Sequence, residues 1–119
     1  MREYPLKDRT KALALRIIRL VEAIPSTDAG QIIGRQILRS GTSVGANYRA
    51  SLRAKSKADM LNKWKIVEEE ADETLYWLEL LVESGLMPET KLKPLMTEVE
   101  EILAMLVTSI NTLRRNGHE

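Results

Sequence analysis

The chain has no cysteine and no phenylalanine, and its 119 residues hold a single histidine, 2 Trp and 3 Tyr. Without cysteine there is neither a disulfide framework nor a thiolate metal site, and nothing suggests an oxidising compartment. No stretch reaches the roughly 18 apolar residues needed to span a bilayer. Met1-Arg2-Glu3-Tyr4-Pro5 opens no hydrophobic run, so a cytoplasmic protein without a membrane partner is expected. Strand-like alternation and internal repeats are absent too, which leaves helical periodicity as the organising pattern.

Chemistry is equally sparse. The one histidine, His118, sits next to the C-terminal residue, where a proton donor is hard to position. The densest carboxylate cluster, Glu68, Glu69, Glu70, Asp72 and Glu73, lacks the Glu-x-x-His pairs of di-metal bundles. Ser40-Gly41-Thr42-Ser43-Val44-Gly45 lacks the Gly-Lys-Ser/Thr ending of a phosphate loop and follows no strand. These features predict no enzyme, no catalytic residue, no metal and no cofactor.

What is present is a length suited to one domain, residues 1–119, with 44% hydrophobic and 29% charged residues. Leu13, Ile17, Leu20, Val21 and Ile24 share one helix face and predict a helix over 8–24. Pro25-Ser26-Thr27 interrupts it, and Asp28 with Gln31 resembles a capping box opening a second helix over 28–55. Ser56 and Asp59 form a similar pair before Leu61, Trp64, Val67, Ala71, Leu75, Leu78 and Val82, which predict a third helix over 57–84. Ser84-Gly85-Leu86 suits its C-terminus. Leu92, Leu95, Val99, Ile102, Leu106, Ile110 and Leu113 mark a fourth over 90–116, with Pro94 leaving its start open. Short links between four helices predict an all-α, antiparallel, up-down-up-down four-helix bundle.

The second helix carries two stripes. Gly34, Gly41 and Gly45 align despite a cost of about 1 kcal/mol each against alanine, which predicts a close helix contact. Arg35, Arg39, Arg49 and Arg53 align on another face, with Thr42 and Ala46 between them. Net charge is only +1, yet the chain up to Lys65 holds 14 basic against 5 acidic residues and the remainder 4 against 12. Arginine's planar fork suits carboxylates and phosphates alike, so two readings stay open. In one, Arg39, Arg49 or Arg53 pairs with Glu70, Glu73 or Glu79, within a subunit or between subunits. In the other, unpaired arginines join Lys55, Lys57, Lys63 and Lys65 in contacting the phosphates of RNA or DNA. No zinc finger or ribonucleoprotein aromatic motif is visible, and Tyr48, Tyr76, Trp64 and Trp77 suit core or interface packing better than base stacking.

Three stretches carry a resemblance: Gln36-Ile37-Leu38-Arg39-Ser40-Gly41-Thr42-Ser43-Val44-Gly45-Ala46-Asn47-Tyr48, Ser56-Lys57-Ala58-Asp59, and Glu70-Ala71-Asp72-Glu73-Thr74-Leu75-Tyr76-Trp77-Leu78-Glu79-Leu80-Leu81. Together they resemble the bacterial four-helix-bundle family of proteins encoded in intervening sequences of 23S rRNA genes, related to accessory proteins of diversity-generating retroelements. The resemblance implies a cytoplasmic bacterial protein without enzymatic activity, assembled into a ring-like homo-oligomer, commonly a homopentamer. The retroelement relatives bind nucleic acid and a reverse transcriptase. It also marks a polar set at Arg39, Asn47, Arg53, Glu70 and Glu73, in which Asn47 donates to a carboxylate, a phosphate or a backbone group, or locks two helices. Where many relatives read Asn-Ile-Ala-Glu-Gly, this chain reads Asn47-Tyr48-Arg49-Ala50-Ser51, the mark of a divergent subgroup. The expected function is nucleic-acid binding by a homo-oligomer, the alternative a protein-interaction scaffold whose arginine stripe meets helix-three carboxylates at subunit contacts.

Overall fold

The computed structural model describes residues 5–116 as four helices: α1 (Pro5–Ala23), α2 (Asp28–Ser51), α3 (Lys57–Glu83) and α4 (Glu89–Asn116), with no strand among them. None of these helices is long and apolar enough to cross a membrane. Helix α1 starts three residues before the expected Asp8, because proline suits a first turn whose N–H groups lack partners in any case. The cap of α2 is Thr27 rather than Asp28: Thr27 has extended dihedrals, and its Oγ1 accepts from the Gly30 N–H at 3.0 Å.

Helix α2 ends at Ser51, short of the expected Lys55. Leu52, Arg53 and Ala54 instead donate to the carbonyls of Arg49, Ala50 and Ser51, which are turn bonds. Two local demands end the helix there. The buried Ser51 Oγ accepts from Trp64 Nε1 at 2.9 Å and donates to the Tyr48 carbonyl at 2.5 Å. Further on, the Ser56 Oγ accepts from Asp59 N–H while Asp59 Oδ2 accepts from Lys55 N–H, both at 3.1 Å, so the predicted Ser56/Asp59 cap draws Lys55 out of helix. Gly85 closes α3 at φ 80, and its N–H donates to the Val82 carbonyl at 3.0 Å. Helix α4 begins at Glu89, with exposed Pro94 inside it.

Each helix packs against its neighbours in sequence and α1 also meets α4, while α1 and α3, like α2 and α4, do not approach. Leu13, Ile17, Ile37, Val44, Leu78, Leu81, Ile102 and Leu106 are among the fully buried side chains at the centre. The buried line of α3 runs through Val67, Ala71, Thr74, Leu78 and Leu81, so Leu61, Trp64, Leu75 and Val82 sit at its margin, partly buried. Thr74 escapes a search for apolar periodicity because it is polar. Its Oγ1 lies 2.9 Å from the buried Ser40 Oγ of α2 and 2.8 Å from the Glu70 carbonyl oxygen.

The glycine stripe sets the approach of α1 to α2. A Cβ on Gly41 would lie 2.8 Å from Ile17, and one on Gly45 would lie 3.0 Å from the Thr10 carbonyl oxygen. Gly30 is tightest, since its Cβ would meet the Pro25 carbonyl oxygen at 2.1 Å. At Gly34 the nearest atoms, on Ile24 and Val21, are at 3.5 and 3.6 Å, ordinary contact distances. Opposite signs follow. Gly30→Ala should destabilise by about 1–3 kcal/mol through overpacking against backbone. Gly34→Ala should stabilise by about 0.5–1 kcal/mol through helix propensity and a less free unfolded chain. Urea unfolding of the two variants beside wild type checks both signs.

Candidate anion-binding surface

Helix α2 presents its arginines to solvent, but they do not share one fate. Arg39 turns toward α3, where it pairs with Glu70 at 3.3 Å and with Glu73, and it also donates to Gln36 Oε1 at 3.4 Å. Arg35 and Arg49 are exposed and make no side-chain ion pair or hydrogen bond among the described residues. Arg53 is equally free, although it lies in the turn after α2 and not on the helix. It still adjoins Arg49 across a shallow hollow floored by Ala46 and Ala50.

At the α2/α3 junction the lysines divide as well. Lys63 is held by Asp59 Oδ1 at 2.8 Å, one turn away on the same helix. Lys55, Lys57 and Lys65 are exposed; the Lys55 charge acts on Asp59, while the ammonium groups of Lys57 and Lys65 have no described partner. Of the options for Asn47 the structure has the backbone group: its Nδ2 donates to the Ser43 carbonyl of its own helix at 2.9 Å, and so it neither locks two helices nor reaches a carboxylate. The set is therefore Arg39, Glu70 and Glu73, without Asn47 or Arg53.

Three further features complete the surface. Ser40-Gly41-Thr42-Ser43-Val44-Gly45 is mid-helix, with its backbone inside α2. No group of three or more His, Asp or Glu side chains converges to hold a metal among the described residues, and His118 lies outside them. The aromatic side chains serve packing: Tyr48 is buried, Trp64 bonds Ser51, and half-exposed Tyr76 stands edge-on to Trp77 at 5.1 Å. Sequence reasoning about α2 alone passed over Lys7 and Lys11, which line the same groove as Arg49, although their one-turn spacing on α1 was a usable signal. It also passed over Arg9, whose guanidinium bridges to Glu98 at 2.6 Å and Glu101 at 3.0 Å on α4.

The model of the 23S rRNA-intervening sequence protein family matches residues 2–108. The chain belongs to this family. The crystal structure of a protein with unknown function from the S23 ribosomal protein family of Bacteroides thetaiotaomicron VPI-5482 is similar, at 37% identity and a TM-score of 0.83, over 88% of this chain and 97% of that one. No curated protein matches. Within the family match lie all the candidate basic residues of the intervening-sequence protein, from Arg35 to Lys65.

Two charges in this intervening-sequence family protein are tuned by their neighbours. The Glu98 hydrogen bond, opposed by burial and helped by Glu101, holds Arg9 above its already high ordinary range, so it stays cationic. The Lys63 ammonium, then the Lys55 N–H, hold Asp59 below the usual aspartate range. A depressed carboxylate contributes stability above its unfolded pKa and loses that contribution as pH falls through its lower folded value. Lys63→Met should therefore raise the Asp59 midpoint toward the ordinary value, and side-chain carboxyl NMR titration of both proteins reads the shift directly.

Proposed function

We propose that this 23S rRNA-intervening sequence family protein binds nucleic acid, structured RNA or DNA, through the basic residues of α2 and the α2/α3 junction, without enzymatic activity of its own. One observation carries the reading: among the described residues Arg35, Arg49, Arg53, Lys57 and Lys65 stay exposed and unpaired, with exposed Lys55 beside them, in a chain that holds 17 acidic residues. Cations left free while carboxylates are available within the chain are suited to an outside polyanion. The family name ties these proteins to 23S rRNA-intervening sequences, which makes RNA the first probe.

The working unit we propose is an up-down-up-down bundle assembled as a cytoplasmic homo-oligomer, a ring and by family resemblance a pentamer. Helix adjacency supports the bundle topology, since only sequence neighbours and α1 with α4 meet. Exposed Ile18, Ile32 and Tyr76 support further association. The scaffold reading, with the arginine stripe satisfied by α3 carboxylates, draws on the Arg39 pairs with Glu70 and Glu73. Those pairs engage one arginine of the stripe, inside one chain.

Filter binding of structured RNA and duplex DNA across a salt series tests the proposal. Log affinity should fall linearly with log salt, by about 0.7–0.9 per phosphate engaged. Arg53→Ala should weaken binding and flatten that slope, whereas Arg39→Ala should leave both nearly unchanged. Absence of binding at low salt sinks the reading, and lost assembly with unchanged affinity in both variants favours the scaffold.

A further inference from the structure

The free cations at the C-terminal end of α2 face others on α1. Lys7 and Lys11, one turn apart on α1, and Arg49 on α2 line an open groove of about 410 Å3 floored by Gly45 and Ala46. The hollow of about 320 Å3 that holds Arg49 and Arg53 shares Ala46 and Arg49 with it and so adjoins it, with Arg49 between the two parts of one shallow trough. Small residues make the trough possible: Gly45 brings α2 against the Thr10 backbone, and Ala46 and Ala50 leave its floor low. Among the described residues all four cations are exposed and make no ion pair, and Asp8 is the one carboxylate in the lining.

This arrangement selects its ligand by three properties. Cations on both sides, two from α1, one from α2 and one from the turn after it, suit a ligand with negative charge repeated along its length better than a single anion. Among the described residues no aromatic ring lines the trough, so those residues offer bases no stacking platform and their contacts fall on phosphates. Packed helix axes lie about 8–10 Å apart, so a depression between them is narrower than the roughly 12 Å major groove alone of a duplex. A single strand can lie within it, whereas a duplex can lay only one of its backbones along the rim. We propose that the α1/α2 trough holds a single-stranded sugar–phosphate backbone without regard to base sequence, with Lys7 and Lys11 on one wall and Arg49 and Arg53 on the other. The inference rests on the nucleic-acid reading above and adds to it the strand class and the α1 wall.

Fluorescence anisotropy of the full chain with labelled oligo(U), oligo(A), oligo(dT) and a duplex of equal length tests it. The three single strands should bind within a few-fold of one another and more tightly than the duplex. Lys7→Gln combined with Lys11→Gln should weaken single-strand binding about tenfold at low salt and reduce the salt slope by about 1.4, for two lost phosphate contacts. Ala46→Leu, which raises the floor at an exposed position without changing charge, should weaken binding while leaving circular dichroism unchanged. Asp8→Asn should strengthen it. Arg16→Gln with Arg19→Gln removes the same charge from a different hollow, between α1 and α4, and should have little effect. If single strands bind with a negative salt slope but the two lysine changes weaken them no more than the two arginine changes, the trough is overturned and the α2 reading stands. Preferential duplex binding overturns the trough in the same way. No binding of any oligonucleotide at low salt overturns both.

Discussion

The close approach of α1 to α2 through glycine is the constraint on which the rest of the molecule depends. As α2 advances from Gly34 to Gly45, its contacts on α1 recede from Val21 through Ile17 to Thr10, so the stripe fixes both the distance and the register of the pair. Glycine is a poor helix former, and three of the four in α2 are required because a Cβ at Gly30, Gly41 or Gly45 would collide with α1 or the chain leading out of it. The same small residues that seat α1 also lower the floor beside it. Lys7 and Lys11 thereby come to face Arg49 across a depression instead of a ridge.

Charge segregation along the chain resolves into two layers. A few cations are drawn inward as ties between helices: Arg9 joins α1 to α4 through Glu98 and Glu101, where the helices have fewest contacts, and Arg39 joins α2 to α3 through Glu70 and Glu73 above the buried Ser40–Thr74 pair. Arg39 is half exposed, so its ties are of the surface kind, usually at most about 1 kcal/mol. They serve register more than stability. Most of the remaining arginines and lysines stay in solvent, and the proposed binding rests on the surface that they form and not on the fold.

Much of this was legible in the sequence, for reasons that can be named. Helical periodicity located all four helices, and local chemistry marked the ends that a neighbouring residue closes, by side chain at Ser56 and Asp59 and by a positive φ at Gly85. The glycine spacing announced a tight contact, and Ile17 and Thr10 supply it. What escaped was whatever depended on a partner distant in sequence. The end of α2 at Ser51 depends on the Trp64 indole, and the burial of Thr74 depends on Ser40. Asn47 had several eligible acceptors, and the nearest carbonyl of its own helix took the bond. Arg39 could be named as a carboxylate partner, but only the packing distinguishes it from Arg49, which leans toward α1 and its lysines.

Amide NMR mapping with a short oligo(U) added to the labelled protein tests the central claim most directly, because it reports where the strand lies and not only whether it binds. The account predicts shifts clustered at Lys7, Lys11, Gly45, Ala46, Arg49 and Arg53, with the outer face of α3 around Glu69 and Asp72 unmoved. Shifts centred on α3 or α4, or none along the α1/α2 trough, would contradict it.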